Sequence, residues 1–202
     1  MKKLLTFTFI ALFLGIVVGC GSSVNHSRSA PRITVLERIP ARTPSWVRSD
    51  AQFSQTRTTF TYRGISEGFT SLNAAKRAAE ASAKTRIAEH IKSTISAEFV
   101  RVLESQMYDA TTGGYLRDIF ISSVDRLEVS GIIIRSTYSE KIAETSALGE
   151  RIFYRSFALA ELSRDDFQRL VDRAFSSARQ QTATNQSARE ALADAEQRFR
   201  DR

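Results

Sequence analysis

Apolar residues recur at every fourth position from Ala75 through Ala79, Ala83, Ile87, Ile91, Ile95 and Phe99 to Leu103. That spacing predicts one long helix over about residues 72–103, capped by Thr70 or Ser71. Each four-residue step overshoots a helical turn by about 40°, so seven steps carry the stripe about 280° around a straight helix. No single flat sheet covers such a stripe. Either the helix bends or breaks near residues 94–97, or its halves bury different faces. In the second case the alanines lie close against a neighbouring backbone, while Ile and Phe fill the main core. Before this helix, residues 57–65 alternate, with Phe60, Tyr62 and Gly64 on one side and Thr59, Thr61 and Arg63 on the other, the mark of a half-exposed strand. Glu67-Gly68 turns the chain.

After the helix, Thr111-Thr112-Gly113-Gly114 marks residues 108–114 as a loop, and residues 115–127 carry Leu116, Ile119, Phe120, Val124 and Leu127 at helical spacing. Residues 129–142 and 151–162 are rich in β-branched and aromatic side chains, and residues 143–150, with Gly149, read as the turn of an antiparallel hairpin. Ser163-Arg164-Asp165-Asp166 matches a capping box, followed by Phe167, Leu170, Val171, Ala174, Phe175 and Ala178 at amphipathic spacing. Ser187 with Glu190 reads as the cap of a last helix, which holds only Leu192 and Phe199 as large apolar residues. Such a helix is marginal alone, leaving a partly frayed tail or a partner-dependent helix. The pattern predicts an α+β fold, a long alanine-rich helix on a small antiparallel sheet in the order β-α-α-β-β-α, with a C-terminal helical tail. About 145 residues after position 57 suffice for one domain with a core that needs no disulfides.

The first residues belong to a different class of segment. Lys2 and Lys3 precede an almost wholly apolar run over residues 4–18, too short for a comfortable membrane span of about 20 residues. This is the layout of a signal peptide, residues 1–19. Val17-Val18-Gly19-Cys20 ends it with the chain's only cysteine and resembles the lipobox of bacterial lipoproteins. In that motif the chain is cleaved between the positions held by Gly19 and Cys20. The cysteine takes a thioether-linked diacylglycerol, and its new amine takes an acyl chain such as palmitate. Val17 stands where leucine is usual. The resemblance implies an outer-membrane anchor, because Gly21 occupies the place where aspartate signals inner-membrane retention. Three acyl chains, at about 0.8 kcal/mol per buried methylene, hold without further help. An ordinary signal peptide would instead leave Cys20 as an unpaired thiol in an oxidising compartment.

Charge sets the next stretch apart from the remainder of the chain. Residues 21–57 carry six arginines against Glu37 and Asp50, whereas residues 58–202 are nearly balanced at +1. The high pI therefore belongs to the leading stretch, which argues against a nucleic-acid surface on the domain. All three prolines, Pro31, Pro40 and Pro44, also fall there. Residues 20–56 thus read as a lipidated cysteine followed by a flexible basic tether, with coil ends about 30 to 40 Å apart. Its arginines either keep the tether solvated or attract it to an anionic membrane or cell wall. Pro44-Ser45-Trp46-Val47, with the only tryptophan, interrupts the tether as its first docked contact. Trp46 either packs there or lines a pocket. The domain then occupies residues 57–178 and the polar helical tail residues 179–202.

Candidate chemistry is sparse. His26 lies in the tether and His90 sits between Ile87 and Ile91, where it borders the core. Asp165 and Asp166 are the only adjacent acids in the domain, and a helix N-terminus explains them. The sequence shows no HExxH, paired-cysteine metal site, P-loop or GxGxxG. No catalytic residue, metal or cofactor is therefore assigned.

The order lipobox, Pro44-Ser45-Trp46-Val47, strand, alanine-rich helix opening Ser71-Leu72-Asn73-Ala74-Ala75-Lys76-Arg77-Ala78-Ala79, and then two strands resembles the twenty-kilodalton outer-membrane lipoprotein family, the LPP-twenty family. The likeness covers roughly residues 46–174. It implies a non-enzymatic periplasmic or surface lipoprotein of a Gram-negative bacterium, some members building flagellar outer-membrane structures. The leading expectation is an envelope structural protein that assembles with itself or with an envelope partner. The alternative is a binding module for peptidoglycan, or a regulator of a cell-wall enzyme, using exposed aromatics such as Tyr62 or Tyr138.

Overall fold

The computed structural model describes residues 30–106, 108–147 and 149–201. Gly19, Cys20 and His26 lie outside them. The fold is mixed helix and sheet, a five-stranded antiparallel sheet with one long helix. Strand β1 (Arg32–Ile39), a helical turn α1 (Ser45–Arg48), β2 (Phe53–Gln55) and β3 (Thr59–Phe69) precede helices α2 (Leu72–Ser105) and α3 (Ala110–Asp125). Strands β4 (Ile133–Ser146) and β5 (Gly149–Ser163) then lead into helices α4 (Arg164–Gln181) and α5 (Gln186–Arg200). The sheet order is β1-β4-β5-β3-β2.

Three of these elements lie in the stretch expected to be an unstructured tether. β1 pairs antiparallel with β4, from Arg32 opposite Thr145 to Ile39 opposite Ser139, with a register shift at Leu36. β2 pairs with β3, Phe53 opposite Tyr62. Ladder hydrogen bonds come from the backbone, so a proline- and arginine-rich sequence can add an edge strand without much apolar burial. The domain boundary therefore moves from Arg57 back to about Arg32.

Helix α2, about 51 Å long at 1.5 Å per residue, resolves the question its stripe poses. Its halves bury different faces. Ala75, Ala79, Ala83, Ile87 and Ile91 are buried along the half that packs on β3 and β5, and Ile95, Phe99, Val102 and Leu103 continue past the sheet into a helical bundle. The close approach of the first half rests on Gly64 of β3, where an added Cβ would lie 2.3 Å from the Ala79 carbonyl oxygen. In the bundle each helix contributes one phenylalanine. Phe99 stacks on Phe120 at 3.7 Å between centroids, Phe120 meets Phe175 at 4.8 Å, and Phe175 meets Phe199 at 5.5 Å.

Two boundaries differ from expectation at the helix starts. α3 begins at Ala110, inside the predicted loop, because the Asp109 carboxylate accepts from the amides of Thr111 and Thr112. That cap, with burial of Leu116 and Phe120, outweighs the helix cost of Gly113 and Gly114. α5 is capped by Asn185, which accepts from the Ala188 amide, rather than by Ser187. Where a frayed tail or a partner-dependent helix is expected from the sequence, its buried side chains pack inside this chain. Ala188, Leu192 and Ala195 are buried within this chain, against α2, α3 and α4. The β4–β5 turn is also tighter than residues 143–150, since Ser146 already pairs with Gly149.

Candidate functional site

The face of the sheet opposite α2 is crossed by the segment joining β1 to β2. Thr43 Oγ1 lies 2.8 Å from the Tyr138 hydroxyl, which donates to Glu140 at 3.0 Å. Tyr138 is fully buried, and burial is the main reason its hydroxyl pKa is raised. Tyr62 is half-buried and donates to Gln52 Oε1 at 3.1 Å. Neither tyrosine is the exposed aromatic that a wall-binding surface would use, because the connecting segment is folded over that face of the sheet and beside β3.

The same segment covers Arg63. On the alternation of β3 this side chain belongs to the polar, solvent-facing set, yet it is only 9% exposed. Its Nη1 donates to the backbone carbonyls of Trp46 at 3.2 Å, Val47 at 2.7 Å and Ser49 at 2.5 Å. These carbonyls belong to the C-terminal end of α1, where acceptors lack helical partners and carry partial negative charge. The guanidinium thus fixes the turn that holds Trp46. Arg63 Nε is buried and has no hydrogen-bond partner among the described residues. Beside it lies a cavity of about 320 Å³ lined by Trp46, Ser49, Gln52, Phe53, Thr61 and Leu159 together with Arg63. Trp46 both docks and lines a pocket. Arg63 escapes a sequence reading because a charged residue at an alternating position counts as outward. The available signal is Pro44-Ser45-Trp46-Val47, a segment expected to dock on the domain.

The other candidates are structural. His90 is half-buried, its ring 3.7 Å from that of Phe53, and desolvation lowers its pKa below 6.5, keeping the imidazole neutral near pH 7. Asp166 accepts from Ser163 Oγ at 2.6 Å and pairs with Arg169, and its carboxyl is held below its ordinary pKa first by the Ser163 hydrogen bond. The Asp166 amide in turn donates to Ser163 Oγ at 3.0 Å, which is the N-cap half of a capping box, while the Asp166 carboxylate takes the Ser163 hydroxyl and not the Ser163 amide. Asp165 is exposed on the first turn of α4. The structure gives His90 and this acid pair no shared hydrogen bond. A larger, more open hollow beside α2 has Lys84 and Lys92 on its rim, but Lys92 already donates to the Asp125 carbonyl at 2.7 Å.

Among the described residues no cluster of three or more His, Cys, Asp and Glu side chains converges as a metal site, and no helix is long and apolar enough to cross a membrane. No family model, no curated protein and no solved structure matches the chain.

Proposed function

We propose that this chain is a non-enzymatic lipoprotein of a Gram-negative outer membrane, anchored by acyl chains on Cys20, and that its domain is a structural or assembly component of the cell envelope. The flagellar base is one such setting, as the family resemblance implies. The observation that carries the assembly reading is β1. It ends the sheet as an eight-residue edge strand, with Ile33 and Leu36 half exposed. A long edge strand with exposed aliphatic side chains is a template for pairing with a further strand.

The position of β1 also shortens the mooring. Only residues 21–31 separate Cys20 from Arg32, a span of at most about 40 Å when fully extended. Pulling on the anchor would load an edge strand hydrogen-bonded to β4. Sedimentation equilibrium on residues 21–202 tests the assembly. A stable oligomer that dissociates in Ile33→Lys or Leu36→Lys is expected, and a strictly monomeric mass at high concentration refutes it. Acyl labelling of the full chain, lost in Cys20→Ser, tests the anchor.

A further inference from the structure

We infer that the cavity between Trp46 and Arg63 binds a small monocarboxylate with an apolar body, of the kind presented by the carboxyl terminus of a peptide. Arg63 carries a permanent positive charge, and its described hydrogen bonds all run from Nη1 to neutral carbonyls. Nη2 makes none of them. Nε is buried out of reach of solvent, so Nη2 is the nitrogen left to a ligand acceptor. A guanidinium only 9% exposed and bonded to neutral carbonyls alone is a charge without a counter-charge, and a carboxylate on Nη2 supplies one through a charge-assisted hydrogen bond.

The rest of the lining selects among anions. Trp46 and Leu159 bring apolar residues to the lining, and Ser49, Gln52 and Thr61 bring neutral hydrogen-bonding ones, while Phe53 turns its ring to His90 on the α2 side. Arg63 is the only charged side chain in that lining, which suits one negative charge and gives too few donors for a phosphate dianion. A volume of about 320 Å³ accommodates one or two small residues at the end of a chain. The site does not depend on how the domain assembles.

The chain's only tryptophan lines the cavity, so its fluorescence reports occupancy directly. The test titrates residues 20–202, carrying Cys20→Ser, with N-acetyl-alanyl-alanine in its D,D and L,L forms, and with the same peptides as carboxamides. Arg63 Nε–H is followed in parallel by NMR. A saturable change in Trp46 emission with a shift of the Nε–H resonance is expected for the acids, with binding at least tenfold weaker for the amides. Arg63→Lys, which keeps the charge but loses the Nη2 donor, should weaken binding by a similar factor. Preference for the D,D form identifies cell-wall stem peptides as the source, and equal binding identifies peptide termini in general; either supports the site. No saturable response in either signal, or amides that bind as well as acids, overturns it. The acid–amide comparison needs no variant at Arg63, so it decides the matter even if Arg63→Lys fails to fold.

Discussion

Gly64→Ala tests the packing on which the sheet–helix layer depends. Gly64 sits on β3 opposite Ala158, facing the first half of α2. A methyl group there would lie 2.3 Å from the Ala79 carbonyl oxygen, 2.3 Å from the Ala83 amide nitrogen and 2.7 Å from Ala83 Cα. All three are backbone atoms of α2, so no side-chain rotation relieves the clash. Restoring ordinary contact requires the helix to lift by about 1 Å, which forfeits part of the dispersion attraction along its alanine face. Overpacking of this kind costs about 1 to 3 kcal/mol. The contact is with rigid helix backbone at several points, which places Gly64→Ala near about 3 kcal/mol, against a strand-propensity gain of only a few tenths. Urea unfolding of residues 21–202, followed by circular dichroism, should show a lower midpoint with an unchanged slope. Gly114→Ala is the control. Gly114 lies inside α3 with nothing within 4 Å of an added Cβ, so the same substitution should stabilise by about 0.5 to 1 kcal/mol. A loss below about 0.5 kcal/mol for Gly64→Ala would refute close approach as the reason for glycine there.

Leu192→Ala should cost about 2 to 5 kcal/mol in the same assay, because Leu192 is fully buried in the bundle, whereas a detached tail would give no change. Acid unfolding should involve Asp166. Its folded pKa lies below the ordinary 3.8, so its contribution is complete above that value and is lost as pH falls through the folded pKa. The stability gap between the natural chain and Asp166→Asn should therefore narrow from pH 5 downward, and a gap independent of pH would count against the Ser163–Asp166–Arg169 arrangement.

The elements most legible in the sequence are those whose side chains face one environment. α4 reads directly because Ser163 and Asp166 cap it and Leu170, Val171, Ala174, Phe175 and Ala178 share one buried face. β1 is not legible, since Val35 and Ile39 are its only partly buried residues and its stability comes from backbone pairing with β4. The start of α3 is misplaced because Gly113-Gly114 signals a loop, while the Asp109 cap that overrides it is a single side chain. The last helix looks marginal when only its large apolar residues are weighed. Ala188 and Ala195 bury no large surface, yet they let α5 lie close in the bundle beside Leu192.

The segment between β1 and β2 and the candidate site depend on the same few contacts. From β1 the chain crosses the outer face through the Thr43–Tyr138 contact and the carbonyls clamped by Arg63, and rejoins the sheet at β2. A sequence pattern cannot show this. A segment that lies flat on a sheet face can satisfy its backbone with a side chain of the strand it covers, as Arg63 does here, and its own residues then show neither helical nor alternating periodicity. The physical trace it leaves is on the covered strands instead, where Arg63 and Tyr138 occupy outward positions and are nevertheless buried. Arg63 joins the two consequences, because the residue whose guanidinium holds the crossing segment in place by one nitrogen also lines the cavity. Occupancy of the cavity and retention of the segment are therefore linked. A carboxylate on Nη2 would hold the guanidinium in the orientation that clamps the turn, and ligand binding should raise the protection of the Arg63 amide, which donates to the Gln52 carbonyl at 2.8 Å, against hydrogen exchange.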